Sequence, residues 1–143
     1  FRVADYHTYF IAPRDLAFDV WVHNTYADAR KLRANLVARG RVAQEGDHAA
    51  HLVPTGSFSN RAATVQSAVA DAQGVLARRG IDLNSHRNGF FSDLKNHYGT
   101  HRDNFLLDLG KRLQRADSAD DSVRSVLREI KQLRSDVLSG QYL

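Results

Sequence analysis

The sequence has no cysteine and no methionine, and it has only two prolines and one tryptophan among 143 residues. Without cysteine the chain cannot form disulfides, bind a metal through thiolates or use a thiol nucleophile. Any metal must therefore be held by imidazole, carboxylate or amide groups. Without methionine the chain carries no start residue of its own, so we expect Phe1 to lie inside a longer precursor. No apolar run is long enough to suggest a membrane-spanning segment.

The overall composition is that of an ordinary folded domain. Hydrophobic residues make up 43% and charged residues 25% of the chain, which argues against extensive disorder. The length suits a single domain with appendages. Twenty Lys plus Arg against sixteen Asp plus Glu give a net charge of +4. A positive balance favours a polyanionic partner, although it is also common on solvated surfaces.

Hydrophobic periodicity predicts a mostly helical chain. Apolar residues recur at intervals of three and four in four segments, predicted as helices over residues 26–39, 60–80, 94–114 and 118–138. In the second of these segments, Asn60 is the expected N-cap and Gly80 the expected stop. The first 24 residues are instead rich in β-branched and aromatic residues, which favour short extended segments.

Two further strands are predicted in the middle of the chain. Leu52 and Val53 can begin a buried strand that Pro54 closes. The Asn88-Gly89 pair favours a turn that leads into a second strand at Phe90. Together with the helices, these strands predict the α+β class.

His97 and His101, in HYGTH, stand four residues apart. On one helix both imidazoles would project from the same face and could hold a single cation. Gly99 between them is a poor helix former, so this turn is expected to be irregular. A pair of histidines on an apolar stripe can also be hydrogen-bonded core residues.

The order of these features resembles a known nuclease superfamily. A strand with His51, an Asn-Gly turn, a second strand and a helix with H-x-x-x-H resemble the HNH, or His-Me finger, nucleases, and in particular the toxin branch called AHH. The resemblance covers about residues 47–105 and includes AAHLVP, NRAA, GIDLN, NG and HYGTH, followed by Phe105. It implies a ββα-metal core with additional flanking helices. It also implies endonuclease activity that depends on one divalent ion (Mg, Zn or Ni) and acts on DNA without sequence specificity, with RNA as an alternative substrate.

The resemblance further implies roles for individual residues. His51 takes the position of the general base, a task that a neutral imidazole suits. His97 and His101 take the positions of metal ligands. Asn88 takes the position of an asparagine that supports the loop carrying the base, although it could equally serve only the turn before Gly89.

Several basic residues flank the proposed site. Arg87, Lys95 and Arg102 are candidates for contacts with phosphate groups, and so are Arg78 and Arg79. Each of them could instead be an ordinary solvated charge at a helix end or on a helix face.

Ala50 departs from the family pattern, which has a metal-binding histidine at this position. Alanine has no lone pair, so the chain keeps two imidazole ligands and should bind metal weakly. In one explanation the natural protein has histidine here, and alanine silences an enzyme that would kill its production host. In the other the sequence is natural, and His48, on the same side of an extended strand, supplies the missing ligand. Ala50 also supports a second function, an inert module that binds nucleic acid or an immunity protein. A third alternative is a helical structural domain with packed histidines.

YHTYF and VWVHN near the start of the chain resemble the last strands of a Hint autoprocessing domain, with His23 and Asn24 at its terminal positions. The expected organisation is a Hint-like remnant over residues 1–24 and an AHH-type domain over residues 25–143. This combination implies the C-terminal tip of a polymorphic bacterial toxin. Such a toxin would be secreted, delivered into the cytoplasm of a target cell and countered by a cognate immunity protein.

Overall fold

The computed structural model describes residues 26–143, so the Hint-like segment 1–24, with His23 and Asn24, lies outside the described residues. The elements in chain order are α1 (Tyr26–Ala38), β1 (His48–His51), α2 (Ala63–Arg78), a 3₁₀ helix (His86–Asn88), β2 (Gly89–Ser92), α3 (Leu94–Gly99), α4 (Asp103–Ala119) and α5 (Val123–Leu138). The described part is mostly helical with one small sheet, which confirms the predicted α+β class. No helix in residues 26–143 has the length and apolar character needed to cross a membrane.

The sheet consists of β1 and β2, which pair in an antiparallel arrangement. In its register His48 lies opposite Ser92, and His51 lies opposite Gly89. Gly89 is needed here because a Cβ atom on it would lie 2.3 Å from Cδ1 of Leu32. Glycine therefore allows α1 to pack directly against the end of β2.

The strand predicted at Leu52 and Val53 is wrong, because β1 ends at His51. Both residues are fully buried, which explains their apolar character. Their backbone N–H groups both bond to Asn88, the residue just before β2. That of Leu52 donates to the carbonyl oxygen of Asn88 at 2.8 Å, and that of Val53 donates to the Asn88 side chain at 2.8 Å. The pairing thus ends here because the Asn88 side chain takes the N–H of Val53.

The main core lies between α2 and α4, with α5 packed on α4. The two helices approach so closely that a Cβ atom on Gly110 would lie 2.6 Å from the carbonyl oxygen of Ala68. Apolar residues of α5 close the core from the other side: Val126, Ile130, Leu133 and Val137. This helical layer supports the small sheet and the residues around it.

The predicted helix over residues 94–114 is wrong as a single element. It is divided into α3, which ends at Gly99, and α4, which begins at Asp103. The hydroxyl of Thr100 donates to the carbonyl oxygen of His97 at 2.6 Å, and the weak helix former Gly99 precedes it. Arg102 then has an extended backbone, with φ −80° and ψ 147°. His101 consequently lies in a turn rather than on the helix of His97.

Two other helix boundaries differ from the prediction. α2 begins at Ala63 after the cap residue Ala62, so Asn60 is not its N-cap. α4 continues to Ala119, and the last helix begins at Val123 rather than at residue 118. The break falls where the Asp120 carboxylate accepts from the backbone N–H of Ser122 at 2.8 Å. Such side-chain bonds to the backbone compete with helix continuation.

Candidate active site

Three histidines from different segments meet beside the sheet. The ring centroids of His97 and His101 are 5.3 Å apart, and those of His48 and His97 are 6.2 Å apart. With metal–nitrogen bonds of about 2 Å, two imidazoles on one ion have centroids about 5 Å apart. The spacing of His97 and His101 therefore suits a shared cation even though they are not on one helix. His48 lies slightly too far from His97 for the same arrangement.

His97 is the most deeply buried group of this histidine cluster. Its side chain is 4% exposed, and neither ring nitrogen has a hydrogen-bond partner among residues 26–143. Burial, and to a lesser extent the nearby His48 and His51, lower the pKa of His97 to about 3. The imidazole is therefore neutral at pH 7 and keeps a lone pair. Buried polar atoms are nearly always satisfied, and a bound cation would satisfy this one.

Ala50 is fully buried on the same strand as His48. Side chains alternate along a strand, so residues 48 and 50 share the face that meets His97. Within residues 26–143 no group of three or more histidines or carboxylates has the geometry of a metal site. The residues present therefore fit a divalent ion in part. His97 and His101 could supply two ligands, and a histidine at position 50 would face the same space.

His51 is held by a chain of hydrogen bonds that starts at a carboxylate. Its Nε2 atom lies 2.8 Å from Oδ1 of Asn84, and Nδ2 of Asn84 donates to Oδ1 of Asp28 at 3.0 Å. A carboxylate only accepts, so Asp28 determines which way the amide of Asn84 points. The amide oxygen that faces His51 also only accepts, so Nε2 carries the proton. The lone pair of His51 is consequently on Nδ1.

The protonation of His51 reflects its surroundings. The ring is 3% exposed, and this burial lowers its pKa, while the hydrogen bond to Asn84 and the charge of Asp28 act in the opposite direction. The net shift is downward from the ordinary value of 6.5. His51 is therefore neutral at pH 7, with one nitrogen able to accept a proton, as a general base requires.

Asn88 connects the segment after His51 with the loop before β2. Its Oδ1 atom accepts from the backbone N–H of Val53 at 2.8 Å, and its Nδ2 atom donates to the carbonyl oxygens of Val53 and Leu83 at 2.9 and 2.8 Å. The side chain is fully buried. It therefore does more than adjust the turn before Gly89, because it joins two segments that are distant in sequence.

Asn84 and Asp28 did not emerge from the sequence as site residues. Asn84 lies within the matched segment GIDLN, and this is the signal that could have identified it. Asp28 has no such signal, because it is 56 residues away from Asn84 and belongs to α1. Only the packing of α1 against the sheet brings the two together.

The basic residues near the site divide into two groups. Arg87, Lys95 and Arg102 are exposed, and none of them has a carboxylate partner within residues 26–143. Arg78 and Arg79 are instead bound by Asp117, at 2.8 and 2.5 Å. These ion pairs reduce the charge that Arg78 and Arg79 offer to a phosphate, and phosphate contacts stay a prediction for all five residues.

Comparison with known families gives one match. A family model described as AHH, a nuclease family of the HNH/ENDO VII superfamily with conserved AHH, matches residues 32–137. This range contains the histidine cluster, His51, Asn84 and Asn88. At the motif this chain has Ala49, Ala50 and His51, so the departure is at the middle position. No curated protein and no solved structure matches the chain.

Proposed function

Because the chain belongs to the AHH nuclease family of the HNH/ENDO VII superfamily, we propose that it is a metal-dependent endonuclease that hydrolyses the phosphodiester bonds of DNA without sequence preference. The observation that supports this proposal best is the state of His51. It is buried, neutral and oriented by Asn84 so that its Nδ1 lone pair is available. The net charge of +4 also suits a polyanionic substrate.

In this proposal His51 is the general base. Its Nδ1 atom takes a proton from the attacking water while Nε2–H stays bound to Asn84. Asn88 has a supporting role, because it holds the segment that follows His51 in place. A neutral imidazole can perform this step at pH 7 without help in deprotonating the water.

His97 and His101 are the residues that would hold one divalent ion, with Mg, Zn or Ni as the candidates. The neutral, unsatisfied ring of His97 supports this assignment. A divalent ion bound here would supply positive charge to the scissile phosphate and the leaving oxygen. His48 is the candidate for a third ligand in the chain as it is, although its ring would have to move toward His97.

Arg87, Lys95 and Arg102 are proposed to contact phosphate groups of the substrate, since all three are exposed cations without carboxylate partners in the described part of the chain. RNA is the alternative substrate. Ala50 favours a second candidate function, a catalytically inert module that binds nucleic acid or an immunity protein. With alanine at the family's histidine position, weak metal binding would leave the fold without its catalytic ion.

We also propose the biological setting that the family resemblance implies. Residues 25–143 would be the toxin domain at the C-terminal tip of a larger secreted protein, and residues 1–24 a Hint-like remnant before it. The domain would act in the cytoplasm of a target cell and would be neutralised by an immunity protein. The support for this setting is the likeness of YHTYF and VWVHN to Hint strands.

The decisive experiment compares plasmid cleavage by the chain and by its Ala50→His variant, each with Mg, with Zn and with a chelator. Ala49→His is the matched control, because residue 49 lies on the opposite face of β1 and pairs with Phe91. We expect Ala50→His to nick and linearise the plasmid only with metal, and Ala49→His to remain as weak as the parent chain.

Each other result has a defined meaning. Equal cleavage by the parent chain and Ala50→His would mean that the ion is held without position 50, and His48→Ala would then test the alternative ligand. Cleavage of RNA but not of DNA would support the alternative that the chain is a ribonuclease. If no variant cleaves DNA or RNA under any condition, the endonuclease proposal fails and the binding module replaces it.

A further inference from the structure

Four arginines and one histidine meet where the end of α1, the 3₁₀ helix and α5 come together. We call this group the arginine cluster: Arg39, Arg41, His86, Arg87 and Arg134. Nε of Arg39 donates to Nε2 of His86 at 3.2 Å. Nη2 of Arg134 donates to the backbone carbonyl oxygen of Arg87 at 2.7 Å. Residues that are as many as 95 positions apart in sequence, 39 and 134, thus form one surface.

The arginine cluster has no carboxylate to balance its charge. Within residues 26–143, none of its four arginines forms an ion pair with Asp or Glu. Four arginines elsewhere do form such pairs: Arg61 pairs with Asp103, Arg78 and Arg79 pair with Asp117, and Arg112 pairs with Glu129 and Asp136. The positive charge of the arginine cluster is therefore not compensated by ion pairs within the described residues.

Arg134 is held in this surface at a cost in free energy. It is half-buried, and its Nε atom is buried without a hydrogen-bond partner in the described part of the chain. Burial lowers the pKa of Arg134, and so does the charge of Arg41. The pKa of His86 is likewise lowered, first by burial and then by all four arginines of the cluster. An anion bound to the cluster would relieve this repulsion.

The arginine cluster lies next to the proposed catalytic base. His86 and Arg87 follow Asn84, which holds His51, by two and three residues. Three residues span at most about 11 Å, so the Cα atoms of Asn84 and Arg87 are no farther apart than that. The side-chain amide of Asn35, in the last turn of α1 and four residues before Arg39, donates to the backbone oxygen of Asn84 at 2.7 Å. The loop that positions the base thus also presents the cluster.

We propose that the arginine cluster binds the phosphodiester backbone of a DNA duplex beyond the cleavage point, and so holds the substrate against the site of His51. This inference rests on the proposed endonuclease function. Guanidinium groups suit phosphate because they offer several donors in a fixed plane. Backbone contacts would also hold DNA of any sequence, as a nuclease without sequence preference needs. An acidic protein surface is the competing occupant, and the experiment separates the two.

The test measures binding of a fluorescent DNA duplex by anisotropy over a range of salt concentrations, with a chelator present to prevent cleavage. The cluster variant is Arg41→Gln/Arg87→Gln, which removes two exposed charges and keeps the buried Arg134. The matched control is Arg115→Gln/Arg124→Gln, which removes two exposed charges from α4 and from the start of α5. Arg124 is ten residues before Arg134, or about 15 Å along the helix. Circular dichroism checks that every variant is folded.

We expect the cluster variant to bind DNA about tenfold or more weakly than the parent chain and to reduce the slope of log affinity against log salt by about two. The control should change affinity by less than about twofold, because isolated surface charges are screened.

A parallel titration with polyglutamate tests the competing occupant. If the cluster variant loses affinity for polyglutamate but not for DNA, the surface takes an acidic protein and the proposal is wrong. Equal binding of DNA by the cluster variant and the control would overturn this inference and the phosphate contact proposed for Arg87, while the endonuclease proposal, which depends on His51, would stand. If the parent chain binds no DNA at all, both proposals fail.

Discussion

Nε2 of His51 lies 2.8 Å from Oδ1 of Asn84, although the two residues are 33 positions apart in sequence. Because Asp28 orients the amide of Asn84 from its other end, this single contact determines which nitrogen of His51 carries the proton. The base of the proposed reaction is thus prepared by two residues that need not touch the substrate. Asn84 and Asp28 are positioning residues.

The tautomer of His51 should depend on Asp28. In the parent chain we expect the ring to be the Nε2–H form, read from the nitrogen chemical shifts of labelled histidine. In Asp28→Asn the new amide can donate as well as accept, so the amide of Asn84 is free to turn and the Nε2–H form should lose its dominance. Asn35→Ala, which removes only a bond to the backbone oxygen of Asn84, should leave the tautomer unchanged. An unaltered tautomer in Asp28→Asn would contradict the role assigned to this carboxylate.

His97 should lower the stability of the metal-free protein. Its ring nitrogens are buried without hydrogen-bond partners in the described part of the chain, and an unsatisfied buried polar group costs about 1–3 kcal/mol. Replacing it with leucine should therefore raise the free energy of unfolding by about 1 kcal/mol, measured by urea denaturation with a chelator. Zinc affinity, measured by titration, should fall in the same variant.

His86→Leu is the control for this prediction, since His86 is outside the histidine cluster. It should neither gain stability nor lose zinc affinity. A loss of stability in His97→Leu would instead identify His97 as a satisfied core residue, which is the ordinary alternative for a buried histidine.

Gly110 should be essential for the contact between α2 and α4. A methyl group there would meet the backbone of Ala68 at 2.6 Å and 2.8 Å, and backbone atoms of a packed helix cannot move aside easily. Gly110→Ala should lower the free energy of unfolding by about 1–3 kcal/mol, measured by chemical denaturation.

Gly74→Ala is the matched control on α2. Its new methyl group would approach only the end of the Arg78 side chain, at 3.3 Å, which is flexible. Alanine should therefore stabilise this helix by about 0.5–1 kcal/mol. If both substitutions stabilise the protein, the close approach of the two helices at Gly110 is wrong.

Asp117 should make stability depend on pH in the acid range. Hydrogen bonds from Arg78 and Arg79 lower its pKa below the ordinary value of 3.8. The contribution of Asp117 to the free energy of unfolding is therefore fully present above pH 3.8. It is lost as the pH falls through the lower pKa of the folded state. Asp117→Asn should cost about 1 kcal/mol at pH 7, and the difference from the parent chain should disappear at low pH in denaturation curves. A difference that persists at the lowest pH would mean that the charge of Asp117 is not responsible.

Much of the fold could be predicted because it depends on local pattern. Apolar spacing identified α1 and α2, and the Asn88-Gly89 pair identified the start of β2. The elements that were predicted wrongly depend on local hydrogen bonds, which hydrophobic periodicity does not reveal. The Thr100 hydroxyl and Gly99 divide one apolar stripe into two helices. The Asn88 side chain takes the N–H of Val53, and β1 ends at His51 instead of running through Leu52 and Val53.

The sequence by itself determined the family, through an ordered set of short motifs, and it marked His51, Asn88, His97 and His101 as the residues of interest. It also showed that position 50 departs from the motif. The tertiary structure alone decided which groups meet. It placed Asp28 behind Asn84, brought His48 within 6.2 Å of His97, and gathered the arginine cluster from three separated segments. The reason is physical: periodicity and capping are properties of neighbours along the chain, whereas the orientation of a buried base depends on hydrogen bonds between residues that only packing brings together.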